Sequence, residues 1–430
     1  MSFRSFLIAG GLALVQCITS PSAAQVPLGL GDLYRALPSA NPRIVAASAL
    51  ARAAEERVAP ARTLPDPQLQ FGIMNRELPG LDYADVLGMN QIQLMQMIPI
   101  GGKLSFAGQA AEERATAEHA RANEVSWEVR ARAAMGFYDL YRMDQAILIG
   151  RETLRLLKDL AKVAETMYSV GEGRQADVLR AQVEVARMQE EIMRMEAERD
   201  AALARLNALL ARGPDSALGK PVLPVFPESL APLDSLVAEA KAGRPMVRAG
   251  EAELRAAEAT AQGARREIWP DLQVGMQYGQ RPMAGGETDR MISLMVGVNL
   301  PIFAGRRQFA MRRETEAMRG MAQADLDEMR AETRGRVGEL YAAIERARRL
   351  GDLYRATILP QAEATVRSAQ SAYRTGAVDF MALLDNQMTV NRYRQDLVAL
   401  DAERGAALAE LEMLLGRELF DPTSVRPEAQ

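Results

Sequence analysis

Apolar residues recur at alternating spacings of three and four over two long stretches of the chain. The stretches run from Val178 to Leu209 and from Leu383 to Leu414, and their registers superpose after a shift of 205 residues. This spacing puts the apolar residues on one helix face, where a second helix can cover them. A third such stretch, from Ile147 to Tyr168, ends at Gly171. The pattern predicts that a helix of about 100 Å, from about Lys103 to Tyr168, turns at Gly171 and returns antiparallel as a coiled coil.

Four shorter stretches alternate apolar and polar residues with the period of two that is typical of strands. They span about 68–76, 90–99, 271–279 and 291–300. Their length of 9–10 residues is what a tilted strand needs to cross a bilayer. The face opposite the apolar one is polar and uncharged and would line a lumen. The residues predicted to line it include Gln91, Gln93, Met95, Met291, Met295 and Asn299. The alternative is a soluble four-stranded sheet covered by helices.

The order of these elements occurs twice along the chain. Pro67–Gly72 matches Pro270–Gly275 at an offset of 203, and the other matched segments lie 202 to 205 residues apart. Each copy is predicted to contain a helix, two strands and a long helix hairpin. Proline cannot continue a helix, so the five prolines between the copies predict a connector. The predicted organisation in chain order is repeat 1 at 25–213 with a hairpin tip near 168–178, the connector at 214–232, repeat 2 at 233–420 with a tip near 373–384, and a C-terminal tail at 421–430.

The N-terminal residues have the layout of an export signal. One arginine precedes the mostly apolar run Phe6–Ile18, and a small-x-small cleavage site ends at Ala24. We therefore expect residues 1–24 to be a signal peptide. Two alternatives are lipidation of Cys17 and a retained anchor. Acylation signals require a small residue before the cysteine, and the residue before Cys17 is not small. No later stretch has the roughly 18 apolar residues of a membrane-spanning helix, so insertion into a membrane would have to use strands.

Composition narrows the possible functions. Of the 430 residues, 72 are alanine and only 5% are aromatic, which favours long helices. One cysteine, Cys17, excludes a disulfide framework, and one histidine, His119, argues against transition-metal and His-based catalytic sites. A net charge of −4 provides no basic field for nucleic acid. We predict no catalytic residues, no cofactor, no nucleic-acid partner and no enzymatic activity.

The number of strands constrains any membrane-inserted form. Four strands cannot close a barrel, because about eight are the practical minimum. An open strand edge is not tolerated in lipid, since its backbone groups have no water to bond. Transmembrane strands would therefore require several copies in one barrel. Two copies would give eight strands and an interior filled by side chains, whereas three would give twelve, so a conduit favours three.

The duplicated order of these motifs resembles the TolC-type outer-membrane efflux proteins over roughly residues 30–420. The matching motifs are the Pro-x-Leu-Gln-x-Gly strand starts, the Pro-Ile junctions at 99–102 and 301–305, and the Tyr-x-x-Gly tips followed by Val178-Leu179 and Leu383-Leu384. The resemblance implies a mainly α protein with a small β part: a homotrimer with a 12-stranded outer-membrane β-barrel and a periplasmic α-helical coiled-coil tunnel.

The resemblance also implies a function and partners. The protein would be the exit duct of a tripartite efflux system, docking onto a periplasmic adaptor (membrane fusion) protein and an inner-membrane pump of RND or ABC type. Asn41-Pro42, Leu64–Pro67 and Pro99–Lys103 resemble the heavy-metal (CzcC/CusC-like) branch, which implies metal cations as substrate. Drug efflux and type I protein secretion are alternatives. A periplasmic coiled-coil scaffold or adaptor is an alternative of another class.

In this family, tyrosine and acidic residues at the second hairpin tip narrow the periplasmic mouth. Tyr373, Gly376 and Asp385 fall on that pattern, whereas Ala382 stands where an acidic residue is usual. Asp177 could supply a second ring of carboxylates, and such rings attract cations. The alternative is that both acids are solvated residues near a helix N-terminus, where the helix dipole favours them. We expect Tyr373 and Asp385 to lie at an exposed end, so that replacing them changes stability by only about 0.5 kcal/mol.

Two further groups of residues have both a functional and a structural interpretation. Tyr168, Gly171 and Gly376 at the hairpin tips are candidate adaptor contacts, but glycine also suits a left-handed turn. The chain has 23 methionines, and thioethers suit Cu(I) or Ag(I) but also fill gaps in cores. The methionines predicted to face the lumen, which include Met97, therefore do not by themselves predict a metal site.

Overall fold

The computed structural model describes residues 27–77, 82–83, 88–282, 287–375 and 377–425. The expectation of a mainly helical chain with a small β part is confirmed. The helices are α1 (Leu30–Ala40), α2 (Pro42–Glu55), α3 (Val58–Arg62), α4 (Lys103–Ser169), α5 (Gln175–Leu209), α6 (Leu233–Gly243), α7 (Pro245–Arg266), α8 (Gln308–Leu353), α9 (Leu359–Arg374) and α10 (Phe380–Leu415). The strands are β1 (Gln68–Met74), β2 (Arg76–Glu77), β3 (Asp82–Tyr83), β4 (Met89–Ile98), β5 (Leu272–Pro282) and β6 (Thr288–Val298). The predicted signal peptide and Gly376 lie outside the described residues.

Helix α4 is the longest element and runs along most of the described helical part. Its 67 residues correspond to about 100 Å at 1.5 Å per residue. Gly101 and Gly102, both with φ near 78°, precede it, and Gly171, with φ of 79°, follows it. Glycine adopts this left-handed conformation without steric cost, which explains why the chain turns at both ends. Helix α5 then returns alongside α4, and its buried residues, except Asn207, fall on the predicted apolar register.

The second long hairpin contains an irregularity that the sequence pattern did not predict. Between α8 and α9, residues Tyr354–Ile358 form a π-helical turn, and the N–H of Leu359 donates to the carbonyl of Tyr354. Pro360 has no N–H, and its ring would crowd the carbonyl of Ala356 in a regular α-helix. The wider turn accommodates this proline. Helix α10 then begins after Asp379, whose carboxylate accepts a hydrogen bond from the Ala382 N–H at 2.9 Å.

The strands form one antiparallel four-stranded sheet in the order β1-β4-β5-β6, and β2 and β3 form a separate pair. The boundaries differ from the predicted ones by up to three residues. Strand β1 ends at Met74 because Asn75 takes a positive φ of 50°. Strands β5 and β6 extend further towards each other than predicted, to the pair formed by Pro282 and Thr288. Asn299 therefore lies just after β6 rather than within it.

The described residues bury three apolar clusters. One joins α1, the middle of α4, the end of α5 and the connector; it includes Phe137 and Leu206. A second joins the two hairpins near their tips, and a third joins α6, α8 and the end of α10. The connector is held to the N-terminal segment by a hydrogen bond from the Leu28 N–H to the Lys220 carbonyl, at 2.8 Å. None of the helices in the described part of the chain combines the length and hydrophobicity that crossing a membrane requires.

Candidate functional site

The apolar face of the four-stranded sheet is exposed. The strand register aligns Leu69, Leu94, Met276 and Leu294 in one row across all four strands. The neighbouring row contains Phe71, Ile92, Tyr278 and Ile292. Leu294 is 79% exposed and Ile292 is 72% exposed, and the described helices do not cover them. A soluble sheet covered by helices therefore does not describe this structure.

One polar residue interrupts this apolar face. Gln96 of β4 pairs with Val274, and its place in the register puts it on the apolar side. Its amide donates to the carbonyls of Pro65, at 2.7 Å, and Met97, at 2.9 Å. Both bonds lie near the end of the sheet from which β4 leads into α4. The carboxamide is thus satisfied within the chain, and the contrast between the two faces is preserved.

The opposite face carries most of the predicted lumen residues. Gln91, Gln93, Met95, Met291 and Met295 all lie on it, and the exposed Asn299 follows β6. The Gln277 amide donates a hydrogen bond to the Gln91 side chain. Glycines alternate with long side chains across the strands, as in the row Gly72, Gln91, Gly279 and Met291. A methyl group added at Gly72 would lie 2.7 Å from the Gln91 side chain, so these glycines leave room for their long neighbours.

A charged cluster lies where the strands meet the long helices. The Lys103 ammonium group lies 2.8 Å from the Asp271 carboxylate and 3.4 Å from that of Glu267, and the lysine side chain is only 11% exposed. Lys103 begins α4, whereas the two acids lie just before β5. The cluster therefore ties the exit of β4 to the start of β5. The spacing of residues did not predict this ion-pair cluster; a lone lysine following Gly-Gly, in a chain with five lysines, was the available signal.

The tip of the second hairpin differs from expectation at Tyr373. This residue is only 8% exposed, and its ring centre lies 5.7 Å from that of Phe380. Burial raises the pKa of Tyr373, and the nearby Asp177 carboxylate raises it further. The expectation that Tyr373 lies at an exposed end is therefore wrong, because Phe380 at the start of α10 packs against it. Tyr373 also belongs to the buried cluster that contains Ala181 of α5, so the two hairpins pack together near their tips.

The two candidate acidic residues occupy different positions. Asp177 is partly buried in the first turn of α5, where the helix dipole favours a carboxylate. Asp385 is exposed in the second turn of α10, beyond Asp379, which caps that helix. The interpretation as a helix-terminal acid thus fits Asp177 better than Asp385. Among the residues that the structure describes, no side chain forms a hydrogen bond or ion pair with the Asp385 carboxylate.

The tip of the first hairpin is exposed. Tyr168 and Val170 both present large apolar surfaces to solvent, and nothing lies within 4 Å of a methyl group added at Gly171. Gly173, which the sequence analysis did not single out, packs tightly: an added methyl group would lie 2.7 Å from the Tyr168 backbone nitrogen. The candidate contacts Tyr168 and Gly171 are therefore accessible, while Gly173 shapes the turn.

Buried polar groups join the helices at positions that periodicity did not predict. Thr153 of α4 donates a hydrogen bond to Asn391 of α10 at 2.9 Å, and both residues are buried. Arg404, a polar residue that interrupts the apolar register of α10, donates a hydrogen bond to the carbonyl of Pro227 in the connector. In both cases a polar residue on or beside the apolar helix face was the sequence feature that indicated a contact. The spacing of residues could not identify its partner.

Glu412 of α10 is the most deeply buried acidic residue in the described chain. It is 1% exposed and accepts a hydrogen bond from the Leu419 N–H at 2.7 Å. Burial raises its pKa to about 7; the hydrogen bond from Leu419 and the Arg130 guanidinium oppose this, while Glu418 adds to it. The Tyr34 and Tyr138 side chains are buried in the same region, and burial raises the pKa of both hydroxyls. Among the described residues, no group of three or more His, Cys, Asp and Glu side chains is placed to hold a metal ion.

Comparison with known proteins places these features in context. The sequence model of a family described as outer membrane efflux protein matches residues 33–212 and 236–417. The chain is 25% identical over 359 residues to the outer membrane efflux protein BepC of Brucella suis biovar 1 (strain 1330), covering 80% of this chain and 75% of BepC. It is 24% identical over 404 residues to the cobalt-zinc-cadmium resistance protein CzcC of Cupriavidus metallidurans, covering 92% of each. The solved structure of CusC resembles it with a TM-score of 0.79 at 17% identity, covering 92% of this chain and 93% of CusC.

Proposed function

The chain belongs to the outer membrane efflux protein family, and we propose that three copies of it share one twelve-stranded barrel that continues into a periplasmic helical tunnel. Members of this family are channels of the outer membrane and not enzymes; they form homotrimers and work with adaptors and inner-membrane pumps. The chain is accordingly an outer-membrane efflux channel. We infer the trimeric barrel from the four-stranded sheet. One face of the sheet is apolar and exposed, and its two outer strands each pair on one side only within the described residues.

The exposed rows of the sheet support contact with lipid. Exposed apolar side chains in register across all four strands form a continuous band rather than scattered residues. In lipid, the unpaired backbone groups of β1 and β6 need partners, and the neighbouring copy can supply them. Three copies give twelve strands, enough to enclose a conduit.

The proposed internal organisation is a tandem repeat. Repeat 1 covers 25–213 and repeat 2 covers 233–420, with the proline-rich connector at 214–232 between them and a tail at 421–430. Each repeat would contribute two strands to the sheet and one long hairpin to the tunnel. The gap between the two segments that match the family, residues 213–235, supports this division.

The proposed periplasmic mouth is formed by the tips of the helical hairpins. Asp385 would face the conduit as one ring of three carboxylates, and Asp177 would add a second, partly buried ring. Tyr373 would act by packing the two hairpins together, because it lies in the buried cluster that they share. Rings of carboxylates attract cations and repel anions.

The proposed partners are a periplasmic adaptor (membrane fusion) protein and an inner-membrane pump of RND or ABC type. The adaptor would contact the hairpin tips at Tyr168, Gly171 and Gly376, of which the first two lie in an exposed turn. Heavy-metal cations are the proposed substrate, supported by the similarity to CzcC, whose name refers to cobalt, zinc and cadmium resistance. Drug efflux and protein secretion are the alternative substrate classes.

Channel recordings test the proposed function. The purified protein is expected to have the mass of three copies in native mass spectrometry and to open cation-preferring channels in planar bilayers. A monomer that remains soluble without detergent and leaves bilayers silent would contradict the proposal and favour a periplasmic scaffold.

A further inference from the structure

Helices α4 and α7 pack side by side within the chain. The Arg121 guanidinium of α4 lies 3.0 Å from the Glu253 carboxylate of α7. Two turns earlier in α4, Arg114 donates a hydrogen bond to the Thr260 hydroxyl at 3.4 Å. Ala117 lies between the two arginines on the same face of α4, since residues three or four apart are neighbours on a helix, and it is 0% exposed. Helix α7 therefore covers this face of α4.

Ion pairs within each half of the chain show which helices correspond. Arg62 of α3 is paired with Glu112 of α4, and Arg265 of α7 is paired with Glu316 of α8. These pairs relate α3 to α7 by a shift of 203 residues and α4 to α8 by a shift of 204. The prolines that begin α2 and α7 are related by the same shift of 203. In the proposed tandem repeat, α8 therefore corresponds to α4, and α2 and α3 together correspond to α7.

The face of α8 that corresponds to the covered face of α4 is open. Met321 stands at the position of Ala117 and is 58% exposed. The exposed Met318 lies one turn away on the same face. On α2, the exposed Leu50 stands at the position of Glu253. Both open surfaces therefore present apolar side chains, and covering one with the other would remove apolar area from water.

Each open surface also presents a charged residue at the end nearest the sheet. Arg307 stands at the position of Lys103, whose ammonium group lies between the Glu267 and Asp271 carboxylates. Asp66 corresponds to the position midway between those two acids. Arg307 and Asp66 are both exposed, and neither forms an ion pair with another residue that the structure describes. A contact between Arg307 and Asp66 would repeat the charges of the Lys103 cluster.

The two open surfaces lie too far apart to meet within one chain. Helix α2 packs on α4, α4 on α7 and α7 on α8, so α2 and α8 lie at opposite ends of a row of helices. Three interhelical spacings of 8–10 Å separate them by about 24–30 Å. Two different surfaces at opposite ends of one chain can join copies head to tail, and such an interface forms a ring when the rotation closes.

We propose that α8 of one copy docks against α2 and α3 of the next copy, with Met321 packed on Leu50 and Arg307 paired with Asp66. The partner of this surface is thus a second copy of the chain. The contact repeats between copies the packing of α4 and α7 within a copy. The inference rests on the proposed function, which joins three copies in one barrel, and it adds a specific helical contact below the strands.

Disulfide cross-linking of the purified protein tests the apolar contact. Leu50→Cys is combined with Met321→Cys, and the control combines Leu50→Cys with Gln323→Cys. Met321 and Gln323 are both exposed but point about 200° apart around α8. A disulfide needs Cα atoms within roughly 7 Å, so it must join different copies. We expect covalent dimers and trimers from the first pair and monomers from the control.

Charge reversal tests the ion pair. Arg307→Glu and Asp66→Arg each place like charges at the contact, so each should lower the temperature at which the trimer dissociates in gels. The double variant restores opposite charges and should recover most of the loss, which independent effects would not do. In the control, Asp66→Arg is combined with Arg334→Glu, which reverses another exposed arginine of α8. This combination should show no recovery.

The outcomes separate this interface from the proposed barrel. Trimers that give no cross-link between positions 50 and 321 would refute the docking of a second copy on α8, whether that face is then open to water or covered by another molecule. Equal cross-linking of the control pair would also refute it. A double reversal that dissociates no later than the single variants would refute the ion pair. Chains that form no trimers in their unmodified form would instead refute the proposed function.

Discussion

The division of the sheet into two faces makes opposite predictions for two adjacent residues of β6. Leu294 lies near the middle of the strand, is 79% exposed and belongs to the apolar row of Leu69, Leu94 and Met276. Ser293 points to the other face, in a row with Gln277 and two further glutamines. Leu294→Arg should therefore put a guanidinium into lipid, whereas Ser293→Arg should put it into water.

The expected penalty follows from the depth of the position. Arginine on the lipid face of a membrane strand costs about 2–4 kcal/mol near the bilayer midplane and about 0–1 kcal/mol near the interfaces. The middle of β6 corresponds to the larger cost, which is roughly a 30- to 900-fold change in the folding equilibrium. The same arginine on the lumen side keeps its hydration. The test therefore compares the cost of arginine in the two variants and does not depend on either absolute value.

The assay measures two quantities for each variant. One is the amount of protein inserted in the outer membrane, and the other is the fraction that migrates as a heat-sensitive trimer in gels. We expect Leu294→Arg to reduce both strongly. Ser293→Arg should insert, form trimers and alter only conductance and ion preference. Equal losses in the two variants, or a loss confined to Ser293→Arg, would refute the assignment of the faces.

Three further predictions concern the helical part. Asp385→Asn should lower the cation preference of single channels while the trimer stays intact, and Glu328→Gln on the exposed side of α8 is the matched control. Equal permeability ratios in the Asp385 variant and the unmodified protein would show that Asp385 does not face the conduit. Tyr373→Ala should destabilise the hairpin tips by about 3 kcal/mol or more, as aromatic truncations in cores do. Tyr373→Phe should retain the packing, and an unchanged melting temperature for the alanine variant would contradict the burial of Tyr373. Burial raises the pKa of Glu412 from its ordinary value of 4.5 to about 7 in the folded protein. The contribution of Glu412 to stability is therefore fully present below pH 4.5 and is lost as the pH rises through about 7. Glu412→Gln should accordingly stabilise the protein at pH 8 by an amount on the order of 3 kcal/mol and have little effect at pH 4.5; a pH-independent difference in thermal unfolding would refute this.

Features set by local periodicity could be predicted from the sequence. The apolar seam of α5 and the alternating faces of the strands follow from the geometry of a single helix or strand, so residue spacing was sufficient. The surroundings of residues whose partners lie outside their own helix or strand were not predicted. Tyr373 is buried because Phe380 covers it, and Gln96 is tolerated on the apolar face because Pro65 accepts its hydrogen bond.

The candidate sites show the same division. The strand register grouped most predicted lumen residues on one face, which period two alone could anticipate. The buried Glu412 and the Thr153–Asn391 bond depend on how separate segments pack. No spacing rule relates residues 238 positions apart, as Thr153 and Asn391 are.

Disulfide cross-linking between strand edges tests the central claim most directly, that neighbouring copies pair β6 with β1 in a closed ring of three. Ile292→Cys in β6 is combined in turn with Leu69→Cys, Phe71→Cys or Ile73→Cys in β1. Within one chain these strands are three positions apart in the sheet, or about 14 Å, which exceeds the roughly 7 Å limit between the Cα atoms of a disulfide. Cross-links must therefore join different copies. We expect at least one pair to give covalent dimers and trimers and no larger species; a ladder that ends at two copies, one that continues beyond three, or no cross-link for any pair would contradict the account.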